Sequence, residues 1–180
     1  MSKAALSPSQ GHDLYETDLY LWTQDQAALL RTGGRQAGGQ QAGDQQASDR
    51  QARDRHRIDW YHLAEELESL GGSQKSEIRN RLAVLLQHLL KWEFQPDHRK
   101  YGWRASMVEQ RLQIEGLLDV SPSLRAWPER VLAKAYHLAR VRAASETGLA
   151  EQTFPQACPY TLAQILDDSF YPGPLEPRFT

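Results

Sequence analysis

A chain of 180 residues with a net charge of -2 and one cysteine, Cys158, is long enough to bury a hydrophobic core and excludes an intramolecular disulfide. No run approaches the ~20 apolar residues of a membrane helix, and the opening MSKAALSPSQGHD lacks the apolar centre of an export signal. One soluble, cytoplasmic domain spanning residues 1–180 is expected, held without disulfide or metal staples.

Thr17 or Asp18 is placed to cap a first helix, DLYLWTQDQAALLRT. Leu19, Trp22, Leu29 and Leu30 give it a partial apolar stripe, and Gly33 reads as its C-cap. From Gln36 to Arg55 the chain repeats a five-residue unit, QAGGQ, QAGDQ, QASDR and QARDR. No side chain larger than Ala in these copies can enter a core, so the ordering entropy is not offset, and a low-complexity, mobile insertion is expected at about residues 34–57.

Asp59 then caps a second helix in which Trp60, Leu63, Ala64, Leu67 and Leu70 form a core-facing stripe. Gly71-Gly72 reads as its stop. Ser73 caps the next and longest helix, about Ser73 to Gln95, which Pro96 ends by forcing its predecessor out of helical geometry. Ile78, Leu82, Leu85, Leu86, Leu89 and Trp92 share one face, and Val84 and Leu90 lie outside it. The helix is therefore expected at the centre of a bundle, with neighbours on at least two sides.

A fourth helix runs to about Asp119. Trp103, Met107, Ile114, Leu117 and Leu118 line one face, and Tyr101, Val108 and Leu112 the nearly opposite one, which again implies two neighbours. Ser121-Pro122 and Trp127-Pro128 each read as a helix start. The fifth helix carries Val131, Leu132, Ala135, Leu138 and Ala139 inward to about Glu146, and Thr147-Gly148 stops it. Thr161 and Gln164 match a capping box and Tyr160 and Ile165 a hydrophobic staple, so a short helix should run from Thr161 to Asp167 before a frayed tail, PGPLEPRFT. The fold class is all-α, a bundle of five to six helices.

With these segments in place, the chain resembles the bacterial helical family known as domain of unknown function, family 29. The resemblance rests on YETDLYLW, IDWYHLAEELESLG, RLAVLLQHLLKWEFQPDHR, GWR with SPSLR, and FPQACPYTLAQIL, in that order. It implies an all-helical fold and transfers no reaction, ligand or catalytic residue. The repeat at Gln36 to Arg55 departs from the short connection the family pattern implies.

Charge is segregated. Residues 58–72 carry Asp59, Glu65, Glu66 and Glu68 with no Lys or Arg, whereas residues 73–111 carry eight basic residues against four acids. An acidic helix lying beside a basic one explains this as orientation and register. Lys91, Arg99, Lys100 and Arg104 interleave with Trp92, Phe94, Tyr101 and Trp103, a pattern that also suits stacking on nucleic-acid bases. The simpler account puts Trp92 and Trp103 on core stripes, with the cations lying over them or pairing with the acidic helix.

His62, Glu66, His88 and His98 would form a helical-bundle metal site if the second helix packed beside the third. Only Asp59-x-x-His62 approaches a metal-ligand spacing, and HxxxH and HExxH are absent. Cys158 has no neighbouring base, and no nucleophile elbow, P-loop or dinucleotide fingerprint occurs, so no catalytic residue and no cofactor is assigned. The preferred expectation is a protein-interaction or regulatory module contacting a protein partner through Lys91, Arg99, Lys100, Arg104, Glu65 and Glu66. A metal-dependent bundle enzyme is the first alternative and a nucleic-acid-binding module the second.

Overall fold

The computed structural model describes residues 8–39 and 59–173, with side chains for 13–33 and 59–173. Six α-helices and no strand occur among these residues: α1 (Pro8–Thr17), α2 (Leu19–Gly39), α3 (Trp60–Phe94), α4 (Tyr101–Val120), α5 (Trp127–Thr147) and α6 (Leu162–Leu166). The all-α expectation holds, with a changed inventory. A helix precedes the predicted first one, and the predicted second and third helices are a single rod of 35 residues. The repeat beyond Gly39 and the tail beyond Gly173 lie outside the described residues, although the first copy's Gln36 to Gly39 continues α2 through the predicted stop at Gly33.

The chain forms two compact units, residues 1–73 and 74–180. In the first, Asp18 caps α2 as its sequence suggests, its Oδ1 accepting from the Leu21 amide at 2.9 Å. Tyr15 and Trp22 meet edge to face with centroids 4.9 Å apart, tying α1 to α2. Asp59 caps α3, accepting from the His62 amide at 3.1 Å, and Arg31 of α2 pairs with Glu68 of α3 at 2.5 Å.

Gly71 does not stop the helix but lets two helices meet. A Cβ there would stand 2.6 Å from Thr23 Oγ1, and Thr23 is fully buried on α2. Ser73, read as a cap, sits inside the rod with its hydroxyl donating to Ser69 O at 2.9 Å. The stripe assigned to the core here is mostly wet: Ala64 is buried, but Trp60, Leu63 and Leu70 are exposed. We expect Gly71→Ala to destabilise the chain by about 1–3 kcal/mol, the range for overpacking, despite alanine's higher helix propensity. Urea unfolding checks this, with Gly72→Ala as control because nothing lies within 4 Å of a Cβ at that position.

The second unit is built around α3 from Gln74 onward. Ile78, Leu82, Ala83, Leu85, Leu86, Leu89 and Leu90 are fully buried, so the rod is covered on more than one face as its sequence requires. Met107 and Ile114 of α4, Val131, Ala135, Tyr136 and Ala139 of α5, and Phe154, Tyr160 and Ile165 complete this core. Short 3-10 turns at Pro96–His98, Pro122–Leu124 and Glu151–Thr153 make the corners. Gly148, at φ +71°, stops α5 in the left-handed conformation that glycine adopts without strain. The capping box on α6 is complete, with Thr161 accepting from the Gln164 amide and Gln164 accepting from the Thr161 amide.

Candidate functional site

The basic-aromatic segment folds onto itself and onto the C-terminal segment. Trp92 and Tyr171 lie with centroids 5.5 Å apart; the Arg99 guanidinium covers Trp92 at 4.8 Å, and Arg99 Nε donates to Trp92 O at 2.9 Å. Arg104 stands 5.2 Å from the Tyr171 ring centroid, and its Nε donates to the Tyr171 hydroxyl at 3.3 Å. Arg111 is 3% exposed and donates from Nε, Nη1 and Nη2 to the carbonyls of Ile165, Asp168 and Phe170 at 2.9, 3.4 and 2.8 Å. Burial pushes its pKa below the ordinary arginine value, and three carbonyl acceptors compensate for the water it lost.

Lys91, assigned to the surface from sequence, is 6% exposed and is a correction to that assignment. Its ammonium lies 4.5 Å from the Trp103 ring centroid and donates to Glu146 Oε2 of α5 at 2.6 Å. A lysine this buried calls for an acceptor close by, and the hydrogen bond from Lys91 draws the Glu146 pKa below the usual carboxylate value. Lys91, Arg99 and Arg104 therefore lie over rings, in line with the simpler sequence account. The acidic stretch and the first half of the basic one do not form two facing helices, because Glu65, Glu66 and Glu68 share α3 with Lys75, Arg79, Arg81 and Lys91.

His88 is half-buried, and its Nδ1 has no hydrogen-bond partner among the described residues. Desolvation, reinforced by Lys91 and opposed by Glu146, lowers its pKa from 6.5. The unfolded chain therefore takes up a proton at His88 before the folded chain does, and stability falls as pH drops through 6.5 toward the depressed folded value. We expect the urea midpoint of wild type to fall more between about pH 7.5 and pH 5.5 than that of His88→Gln. His62 titrates in the opposite sense, since Asp59 raises its pKa, and it is present in both proteins.

Tyr160 is buried and donates its hydroxyl to Glu93, and the Tyr136 hydroxyl donates to Pro155 O at 2.8 Å. Burial raises the pKa of Tyr160, with the Glu93 bond adding to the effect, and pushes Tyr136 up to about 12. Cys158 is half-buried, its Sγ bonded to Tyr160 O at 3.4 Å, and burial raises its thiol pKa. A raised pKa withholds the thiolate, which disfavours a nucleophilic role.

The other predicted residues are scattered. Lys100 is exposed just before α4, and Glu65 and Glu66 are exposed on α3 in the first unit. His62 is exposed and bonded to Asp59 at 2.5 Å, and His98 is exposed on the turn after α3. The packing of a second helix against a third, on which convergence of His62, Glu66, His88 and His98 depended, is replaced by one continuous rod. Among the described residues no group of three or more His, Cys, Asp and Glu side chains is placed to hold a metal ion.

The outer face of α4 is the surface that sequence reading misplaced. Tyr101, Val108 and Leu112 were expected to meet a second neighbour, yet they are 83%, 36% and 55% exposed. With Ala105 they recur at steps of four, three and four, so they form a single seam along three turns. Together with Arg104 and Glu109 they line a shallow depression of ≈ 510 Å³.

No curated protein matches the chain. A solved structure, an alpha-helical protein of unknown function from Rhodospirillum rubrum, is 22% identical over 87% of this chain and 90% of its own, with a TM-score of 0.61, a likeness of fold alone. The family described as "Domain of unknown function DUF29" matches residues 14–171. Nearly the whole described sequence falls within that match, and the chain belongs to the DUF29 family.

Proposed function

We propose that this protein is a protein-interaction module and that its docking surface is the outer face of α4 with the basic residues beside it, Lys100 and Arg104. The observation that carries the reading is the exposed Val108 and Leu112 on a helix whose opposite face, at Met107 and Ile114, is fully engaged in the core. Apolar side chains repeating at heptad spacing on a rigid helix suit the capture of another helix, whose own apolar stripe would cover them. Of the surface residues expected from sequence, Lys100 and Arg104 flank this face, while Lys91 and Arg99 lie against the rings of Trp103 and Trp92. Glu65 and Glu66 offer a separate acidic surface on α3.

A photo-crosslinking residue in place of Leu112, expressed in the native cell, tests the reading. A protein adduct should form, should disappear with Val108→Asp, and should not form when the same probe replaces exposed His137 on α5. An adduct yield at Leu112 no higher than at His137 would sink it.

A further inference from the structure

The flanks of the α4 seam say what covers it. With Tyr101, Ala105, Val108 and Leu112 as alternating d and a positions of a heptad, Arg104 falls at a g position and Glu109 at the following e position. Both are exposed, and both line the same depression as the seam. In two parallel helices a g residue faces the e residue five positions further along its neighbour, so Arg104 of each copy meets Glu109 of the other. The pattern is complementary to itself, which is the requirement for a two-fold interface. A uniformly basic partner helix would be repelled at Arg104, and a uniformly acidic one at Glu109.

We infer that the α4 seam is a homodimerisation surface, closed by a second copy of this chain whose α4 runs parallel, with Val108 and Leu112 packed across the two-fold axis and Arg104 paired with Glu109 on both sides. This rests on reading α4 as the docking face. Glu115, exposed at the next d position, ends the seam because two like charges would meet there. Three turns make a small interface, so the dimer belongs to the weak, reversible class. The Arg104 contact to Tyr171 uses Nε, and in the dimer the partner carboxylate would meet the other guanidinium nitrogens.

Sedimentation equilibrium of the full chain, from about 5 to about 200 µM, tests the inference. Wild type should dimerise, and Val108→Asp or Leu112→Asp should weaken dimerisation at least about tenfold with an unchanged helical circular dichroism spectrum. Arg104→Glu alone and Glu109→Arg alone should each weaken self-association, because each puts four like charges along one interface. An equimolar mixture of the two should recover a 1:1 dimer, because the mixed pair restores both ion pairs, and loss of the Tyr171 contact in one partner cannot mimic that recovery. A monomer up to about 200 µM, or a dimer indifferent to the charge changes, would overturn it. The Leu112 probe separates this failure from failure of the docking reading: an adduct to a different chain overturns the second copy and leaves the docking face standing, whereas absence of any adduct overturns both.

Discussion

Arg111→Met should lower stability by about 3 kcal/mol, equivalent to roughly 6–12 °C in melting temperature at this size. The methionine fills much of the same volume, so the loss comes from the carbonyls of Ile165, Asp168 and Phe170, which would each surrender a charge-assisted donor. Arg111→Lys should recover less than half of the loss, since a single ammonium cannot reproduce a planar fork reaching three acceptors. Urea unfolding gives the magnitude, and hydrogen exchange gives the place, because amides of α6 and of residues 167–171 should exchange faster while those of α3 keep their protection. A midpoint within about 0.5 kcal/mol of wild type would show that water replaces the guanidinium without cost.

Leu89→Ala should cost about 3–5 kcal/mol, the largest effect of any single truncation considered. Leu89 is fully buried in the core cluster that also holds Leu85, Leu86, Met107, Ile114 and Ala139, so the cavity left behind has little room to collapse. The informative comparison is Leu112→Ala, the same chemical change at a side chain 55% exposed, which should stay within about 0.5 kcal/mol in the monomer. Equal losses at the two positions would mean that α4 has a neighbour on its outer face.

Those two leucines also mark how far the sequence could be read. Periodicity identifies both as stripe members on helices and cannot tell which stripe finds a partner, since that depends on how many helices the chain has to offer. Local chemistry was legible: Asp18, Asp59 and the Thr161–Gln164 box cap helices as their spacing implies, because a cap involves only residues three or four apart. The Gly71-Gly72 stop was misread for the converse reason. Two glycines cost a helix about 2 kcal/mol in propensity, but close approach to Thr23 at Gly71 and burial of Ala64 and Ile78 to either side are tertiary terms that outweigh it.

At the candidate site, the cluster of Trp92, Trp103, Arg99 and Arg104 was visible as composition, but its internal engagement was not. Arg111 gave one usable signal that went unread: it sits at i+4 from Met107 and three before Ile114, a cation on an apolar stripe. Such a residue is either misplaced or held by acceptors from elsewhere, and here they come from 54 to 59 positions downstream, beyond any local window.

That separation has a consequence during synthesis. The ribosome releases Arg111 well before Ile165 to Phe170, and at typical elongation rates of 5–20 residues per second the interval is roughly 3–12 seconds. Throughout that time the guanidinium has no native carbonyl to bind, so α4 cannot settle against the core with its cation compensated. Final docking therefore waits on translation of the α6 region, and premature termination before it would leave a nascent helix unable to bury its own arginine.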